Sequence, residues 1–318
     1  MSPIMCKAYL VIFLAIVTIF SCAAAPGSKS DHFQFDSLFH GGIKRTYMVH
    51  LPAAYTGDKS LPLFIALHGG GGDGEKAEKI SRISHQSNKE EFILVYPDAV
   101  GRNWNDGRAV KKYLSHRKNI DDVGFISALI DKLRNEYAID TRRVYVSGAS
   151  NGGMMAHRLA CELTDKITAI APVIAAMPEN IVEQCSPSRP IPVVMINGTA
   201  DPMVPWEGGY VRFIGRKKYG KILSVPDTAQ FWVSHDRCKT EPIETWLPDT
   251  APDDGTRVGK TVFGGCKEGG EVVLYAIHGG GHAWPGGRQN APEYISGKST
   301  NDIDANQIIW EFFKKFSF

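Results

Sequence analysis

The stretch VYVSGASNGGMMAHRLA, residues 144–160, changes its pattern halfway along. Its first three residues, VYV, are β-branched or aromatic and predict a β-strand. Its last seven, MMAHRLA, predict a helix. Between the two parts stands Ser150, with Gly148 and Gly152 two positions away on either side. The stretch therefore predicts a sharp strand-to-helix turn with a serine at its apex.

A serine hydroxyl is a poor nucleophile unless a base removes its proton and hydrogen-bond donors stabilise the oxyanion that forms. The spacing around Ser150 fits G-x-S-x-G, the nucleophile elbow of α/β-hydrolases, in which glycines relieve the crowding of a tight turn. The turn sets Ser150 at the N-terminus of a helix, where the dipole and the Asn151 N–H favour negative charge. The alternative is an ordinary tight turn or helix cap, and the strand–turn–helix context favours the nucleophile.

The acid and base of such a serine follow it in the order Ser, Asp, His. Asp201 is the first acid on the loop after the apolar strand PVVMI, and we expect it to be the acid of the triad. Two histidines compete for the role of base after the strand EVVLYA. His282 lies out on the loop and is the predicted base, whereas His278 at the strand end is predicted to be structural. A metal pair formed by the two histidines is disfavoured, because no helix aligns them and no third ligand is evident.

An oxyanion hole needs a second backbone N–H from the loop after an earlier strand. The segment LHGGGG, residues 67–72, follows an apolar strand, and we expect the amide of Gly70, or of Gly69, to act together with that of Asn151. A phosphate cradle is disfavoured because no P-loop lysine follows. His68 is predicted to hold this loop without a catalytic role.

Two tryptophans are predicted to border the mouth of the site. Trp104 lies in a loop that follows the strand ending at Tyr96, and Trp284 comes two residues after His282. A tryptophan in either place can stack on a ring or pack on an acyl chain. Ordinary loop packing is the competing interpretation for both.

Apolar strands alternate with amphipathic helical patterns along the chain. This alternation predicts an α/β fold with a mostly parallel, doubly wound sheet and helices on both faces. Two strands joined at Gly41-Gly42 are predicted to form a hairpin before it. A helix is expected over residues 75–89, and the segments Val204–Asp227 and Leu247–Gly259 are interpreted as excursions from a single domain. In such sheets the functional loops follow the carboxyl ends of the strands.

Composition excludes some classes of partner. The chain has 318 residues with 43% hydrophobic and 22% charged residues and a net charge of +2. A charge so close to balance argues against nucleic acid as the main partner. No metal or cofactor is expected.

The N-terminus resembles an export signal. Lys7 precedes an uncharged apolar run, residues 8–20, and small residues follow it. Cleavage is expected near Ala25, which leaves residues 26–318 as one catalytic domain. Cys22 lies in a lipobox-like context, so the protein would meet a membrane only if that cysteine were lipidated. A retained membrane anchor is disfavoured because the run is shorter than the roughly 20 residues of a spanning helix.

Four cysteines remain in the predicted mature chain. An even number in an exported protein favours disulfides over metal binding or catalysis. Four cysteines allow three pairings, and sequential pairing closes the shortest loops. The expected bonds are Cys161–Cys185 and Cys238–Cys266.

Several motifs recur together in one order and go well beyond G-x-S-x-G. They are HGGGG, YPDAVGRNWNDGR, DDVGFISALID, RVYVSGASNGGMMAHRLACE, NGTADPMVP and GGGHAWPGG. In combination they resemble the secreted polyhydroxybutyrate depolymerase and feruloyl esterase family, carbohydrate-esterase-family-one-like α/β-hydrolases that include LpqC-like lipoproteins. The resemblance covers nearly all of the chain from about Leu38. It implies a serine esterase that needs no cofactor, with Ser150 as nucleophile, Asp201 as acid and His282 as base.

The substrate predicted from this resemblance is a feruloyl, cinnamoyl or acetyl ester of a plant polysaccharide. Hydroxybutyrate oligomers or other short-chain esters are the alternative substrates. An acyltransferase that uses the same acyl-enzyme is an alternative from another class, and an inactive binding protein or a peptidase is further from the pattern. Two tryptophans near the cleft favour an aromatic acyl group.

Overall fold

A ten-stranded sheet runs through the part of the chain that the computed structural model describes, residues 33–213, 217–289 and 291–318. In chain order the strands of this sheet and of a separate hairpin are β1 Phe33–His40, β2 Ile43–His50, β3 Leu61–Leu67, β4 Ile93–Pro97, β5 Ile139–Ala149, β6 Ala169–Val173, β7 Val193–Gly198, β8 Gly209–Phe213, β9 Lys217–Ile222, β10 Ile243–Trp246, β11 Arg257–Phe263 and β12 Val272–His278. The helices are α1 Gly74–Ser81, α2 Ile83–Glu90, α3 Leu114–Arg117, α4 Asp122–Glu136, α5 Asn151–Glu162, α6 Val225–His235, α7 Glu293–Ser296 and α8 Ala305–Phe313.

The centre of the sheet is parallel and its two edges are antiparallel. The strand order is β1-β2-β4-β3-β5-β6-β7-β12-β11-β10. The six strands from β4 to β12 in this order pair in parallel. The hairpin β1–β2 extends one edge and the strands β11 and β10 extend the other, all by antiparallel pairing. The predicted mostly parallel sheet is confirmed.

Both faces of the sheet are covered, as expected for a doubly wound fold. All seven residues of β3 are buried. Because successive side chains of a strand point to opposite faces, Leu63 and Ile65 join one core cluster and Phe64 joins the other. Helices α4, α5 and α6 supply the first cluster, and α8 supplies the second.

The predicted hairpin near the start of the described chain is confirmed. Phe33 pairs with His50 and the register runs without a break to His40 and Ile43. Gly41 and Gly42 between the strands both have positive φ angles, 57° and 75°, which glycine adopts without steric cost.

The prediction of one helix over residues 75–89 is wrong in one respect. The chain forms α1 and α2, and Arg82 between them adopts a left-handed conformation with φ 55°. Its N–H closes α1 by donating to the Glu78 carbonyl, so one helix ends at Ser81 and the next begins at Ile83.

Both segments interpreted as excursions contain residues of regular strands. The first, Val204–Asp227, holds the hairpin β8–β9, which is separate from the main sheet. The second, Leu247–Gly259, leads from β10 into β11, and these two strands widen the sheet beyond β12.

Both predicted disulfides are present. Cys161 bonds to Cys185 and Cys238 bonds to Cys266. The first ties the end of α5 to the segment before β7, and the second ties the segment after α6 to the segment between β11 and β12. The predicted export signal over residues 1–25, with Cys22, lies outside the described residues. Within residues 33–213, 217–289 and 291–318 no helix is long and apolar enough to cross a membrane.

Candidate active site

Ser150 stands at a strained turn between β5 and α5. Its φ and ψ are 54° and −118°, a combination that a residue with a side chain rarely adopts. Its N–H donates to the Val173 carbonyl at 2.9 Å, which anchors the turn to the neighbouring strand β6. A Cβ at Gly148 would come 2.5 Å from the Gly152 carbonyl carbon, and one at Gly152 would come 2.4 Å from the Leu67 carbonyl oxygen. The predicted elbow is therefore present, and both glycines are sterically required.

Asp201 and His282 meet because their strands are neighbours. Strands β7 and β12 pair in parallel, so the loops that follow them leave the sheet at the same edge. Asp201 Oδ2 lies 2.6 Å from His282 Nδ1. Asp201 Oδ1 accepts hydrogen bonds from the backbone N–H groups of Met203 at 2.7 Å and Val204 at 2.9 Å. Three fixed contacts hold a buried carboxylate that orients the imidazole and leaves Nε2 as its second nitrogen.

His282 and His278 have different surroundings. His282 lines a cavity together with Ser150. His278 is exposed at the end of β12, and its ring lies 4.8 Å from that of Trp246. In the described part of the chain no group of three or more His, Cys, Asp or Glu residues is arranged to hold a metal ion.

The glycine loop after β3 lies against the elbow. A Cβ at Gly69 would be 3.8 Å from Ser150 Cβ, and one at Gly70 would be 3.7 Å from Asn151 Cβ. The Asn151 amide is the first N–H of α5, where a helix offers no internal acceptor. The two predicted amide donors therefore lie on segments that touch beside the serine.

His68 holds this loop, as predicted. Its Nε2 accepts from the Ala99 N–H at 3.0 Å, so its Nδ1 carries the proton and donates to the Gly69 carbonyl at 2.8 Å. Burial lowers the pKa of His68, which keeps the ring neutral, although the bond to the Gly69 carbonyl acts in the opposite direction.

Asn151 is fixed by a buried network that the sequence did not reveal. Its side-chain nitrogen Nδ2 donates to Asp106 Oδ2 at 2.5 Å and to the Trp104 carbonyl at 3.1 Å. Its side-chain oxygen Oδ1 accepts from the Trp104 backbone N–H at 2.8 Å. Asp106 also pairs with Arg108 Nη2 at 2.7 Å, and both side chains are at most 2% exposed. The sequence shows an acid and an arginine two residues apart in NDGR, residues 105–108. No motif rule links these two residues to the elbow, so the sequence does not predict the network.

The prediction that Trp104 borders the cleft is wrong. Its side chain is fully buried and does not line the cavity. Its indole N–H donates to the His68 carbonyl at 3.0 Å, and its ring packs 5.1 Å from that of His68. Trp104 therefore packs against the start of the glycine loop and holds it through His68. Trp284 does line the cavity, and its indole N–H donates to Asn306 Oδ1 at 3.1 Å.

The cavity has a volume of about 630 Å³ and contains two groups of apolar side chains. The first group, here called the aromatic side, consists of Tyr113, Phe213 and Tyr219. The rings of Tyr113 and Tyr219 stack at 5.7 Å, and Phe213 meets Tyr219 edge-on at 6.2 Å. The second group consists of Ala77, Ile80, Trp284 and Ile295. It is here called the aliphatic side because all its members except Trp284 are aliphatic. The hairpin β8–β9, which the sequence did not predict, supplies two of the three aromatic rings.

Solved structures with a similar fold are esterases of the α/β-hydrolase class. A thermostable esterase matches 90% of this chain and 63% of its own with a TM-score of 0.56 at 16% identity. The acetyl xylan esterase from Aspergillus awamori matches 88% of this chain and 99% of its own with a TM-score of 0.56 at 13% identity. The sheet order and the serine elbow place the molecule in the same fold class.

Comparison of sequences defines the family. The protein "Putative esterase NocK" of Nocardia uniformis subsp. tsuyamanensis is 32% identical over 253 residues, which span 77% of this chain and 72% of NocK. Feruloyl esterase B of Piromyces equi is 27% identical over 279 residues, which span 86% of this chain but only 45% of that protein. No family model matches the chain. The chain belongs to the family of feruloyl esterase-like proteins that includes NocK, and it is a carboxylic ester hydrolase.

Proposed function

We propose that this protein hydrolyses feruloyl or acetyl esters of plant polysaccharides. Relatives named feruloyl esterase B, from Piromyces equi, and bifunctional acetylxylan esterase/xylanase XynS20E, from Neocallimastix patriciarum, support this substrate class. The chain spans 45% of the first and matches 22% of the second, so the comparison concerns the part of each that resembles this chain. The aromatic side of the cavity suits a phenolic acyl group, and the small acetyl group needs no more than the elbow itself.

In the proposed mechanism Ser150 is the nucleophile. His282 Nε2 takes the hydroxyl proton as Oγ attacks the ester carbonyl, and the carbonyl π electrons move to its oxygen. The backbone amides of Gly70 and Asn151 donate to that oxyanion. His282 then passes its proton to the alcohol as the C–O bond breaks. Water attacks the acyl-enzyme in the same way and releases the acid.

The observation that carries this proposal is the Asp201–His282 pair at the cavity that Ser150 also lines. A carboxylate bonded to Nδ1 fixes the tautomer in which Nε2 is unprotonated and stabilises the ring once it gains a proton. The strain at Ser150 supports the same role, because backbone strain of this kind concentrates at functional sites.

We infer that the protein works outside the reducing cytosol, as one catalytic domain over residues 26–318. The two disulfides support this location, since such bonds persist mainly in oxidising compartments. The proposal includes an export signal over residues 1–25 that is cleaved near Ala25, with lipidation at Cys22 as the alternative. Mass spectrometry of the mature N-terminus distinguishes cleavage near Ala25 from a lipidated Cys22.

The proposal is tested by initial rates of wild type and Ser150→Ala on methyl ferulate, acetylated xylan, a 3-hydroxybutyrate oligomer and p-nitrophenyl acyl esters. We expect turnover of the first two, reduced by about 10³–10⁶-fold in Ser150→Ala. Ser127→Ala, a serine on α4 outside the cavity, is the matched control. An active Ser150→Ala enzyme would contradict the assignment of the nucleophile.

The same panel separates the rival functions. Activity confined to the hydroxybutyrate oligomer would move the substrate to polyesters. Formation of a new ester when glycerol or a sugar is added as acceptor would indicate acyl transfer in place of hydrolysis.

A further inference from the structure

The cavity beside Ser150 is lined by side chains of one charge. Among its described residues there is no aspartate or glutamate, whereas five are cationic: Lys76, Arg108, Lys112, Arg212 and Arg288. The chain as a whole has 36 Lys and Arg residues against 34 Asp and Glu residues. The positive lining is therefore a local feature of the cavity and does not reflect a general excess of basic residues in the chain.

Four of these cations lack a neutralising partner. Arg108 is buried and paired with Asp106. The other four side chains are exposed, and none of them forms an ion pair with a carboxylate of the described residues. Two nearby acids are already occupied, since Asp73 lies 3.1 Å from Arg102 and Asp201 is bonded to His282.

Two of the free cations belong to the aromatic side. Lys112 Nζ lies 3.3 Å from the Tyr219 hydroxyl and 5.4 Å from the centre of its ring. Arg212 precedes Phe213 on β8 and faces Lys218 in the register of the hairpin, next to Tyr219. The aromatic side is therefore bordered by two positively charged side chains, Lys112 and Arg212.

The other two belong to the aliphatic side. Lys76 lies one helical turn before Ile80 on α1, on the same face of the helix. Arg288 is held beside Ile80 because its backbone N–H donates to the Ile80 carbonyl at 2.8 Å. Each apolar side of the cavity therefore carries a pair of exposed cations.

A concave surface lined by one sign of charge focuses its field and raises the local concentration of ligands of the opposite sign. We propose that this esterase selects esters that carry a carboxylate group near the scissile bond. This inference rests on the proposed function, which it extends by naming the charge of the substrate. The carboxylate belongs either to the saccharide, as in a uronic acid, or to the acyl group.

The test uses two pairs of esters in which one member has a carboxylate where the other has a neutral hydroxymethyl or methyl group. Acetylated methyl glucuronoside against acetylated methyl glucoside probes the alcohol part. The 4-nitrophenyl monoester of adipic acid against 4-nitrophenyl hexanoate probes the acyl part. We expect wild type to favour the anionic member of at least one pair by roughly tenfold in kcat/KM, from two exposed ion pairs of modest strength. The preference should fall in about 1 M NaCl, where the screening length is about 3 Å.

Variants identify the side of the cavity that is responsible. Lys112→Gln with Arg212→Gln removes the cations of the aromatic side, and Lys76→Gln with Arg288→Gln removes those of the aliphatic side. One of these double variants should lose most of the anionic preference. Lys111→Gln and Lys79→Gln are matched controls, because each removes an exposed lysine close in sequence that does not line the cavity.

Each outcome has a distinct meaning. Equal kcat/KM for both members of both pairs, with turnover that depends on Ser150, would overturn the charge preference and leave the proposed esterase intact. A preference that survives both double variants, or that the control variants also lose, would overturn the assignment to these cations. No turnover of any ester would overturn the proposed function together with this inference.

Discussion

Two buried carboxylates, Asp201 and Asp106, lie near the serine elbow, and their partners differ. Asp201 pairs with His282, whose side chain is 12% exposed and faces the cavity. Asp106 pairs with Arg108, and neither side chain is more than 2% exposed. A histidine can take up and release a proton near neutral pH, whereas an arginine stays charged. The first pair is therefore suited to moving a proton, and the second to holding the backbone around Asn151 in place.

Substitution of Asp201 breaks the first pair and should have the largest effect. We expect Asp201→Asn to lower kcat by about 10⁴-fold, because the amide favours the wrong tautomer of the base, as in the serine-protease triad. The fold should persist, since the backbone bonds to Met203 and Val204 need only one oxygen acceptor. Steady-state rates at saturating concentrations of a p-nitrophenyl ester measure the loss of kcat. The control is Asp227→Asn, the same substitution at an exposed aspartate. An Asp201→Asn enzyme with a tenth of wild-type activity would refute the role of Asp201 as the acid of the triad.

Substitution of Asp106 breaks the second pair and should act mainly on stability. Asp106→Asn leaves Arg108 buried without its counter-charge, which we expect to lower the free energy of unfolding by about 3–5 kcal/mol. Urea unfolding measures this change. The matched control is Glu162→Gln, which removes the carboxylate of the more exposed Arg158–Glu162 pair and should cost at most about 1 kcal/mol. Equal losses in the two variants would show that the buried pair has no special structural role.

The contrast also explains what the sequence could predict. The Ser150 turn and the proposed acid and base follow rules of order and position after apolar strands, so the sequence alone predicts these residues. The pairing of β7 with β12, which brings Asp201 and His282 together, follows from the parallel sheet. These features depend on local patterns and on one general property of the fold.

The remaining features depend on contacts between distant segments. Trp104 was misplaced because a loop tryptophan packs inward or outward according to its partners, here the His68 carbonyl. The break at Arg82 is not predictable from polar periodicity, which does not report a single left-handed residue. The hairpin β8–β9 adds two rings to the cavity, yet its short strands lie in a polar segment that carries no clear alternation.

A buried histidine outside both pairs extends the comparison to pH. His157 on α5 is fully buried, its Nδ1 accepts the Trp232 indole N–H at 3.1 Å, and burial lowers its pKa from 6.5 to about 3. Between these two values the unfolded chain binds a proton that the folded chain does not. The contribution of neutral His157 to the free energy of unfolding is therefore complete above pH 6.5. It is lost as the pH falls toward 3, at up to about 1.4 kcal/mol per pH unit.

Urea unfolding of wild type and His157→Gln at several pH values measures this contribution. The glutamine can still accept the Trp232 bond but does not titrate, so its stability should fall less steeply below pH 6.5. Parallel curves for the two proteins would show that His157 is not responsible for the loss.

The smallest expected effect tests whether the buried network around Trp104 influences the rate of the reaction. Trp104→Phe keeps an aromatic ring at this position but removes the indole N–H that donates to the carbonyl of His68, the residue directly before the proposed oxyanion glycines. A lost hydrogen bond of this kind costs about 1 kcal/mol or slightly more. If Trp104 positions the loop, kcat should fall several-fold with little change in KM, because the oxyanion contact forms only in the transition state. A variant with wild-type kcat and the same loss of stability would confine Trp104 to a structural role.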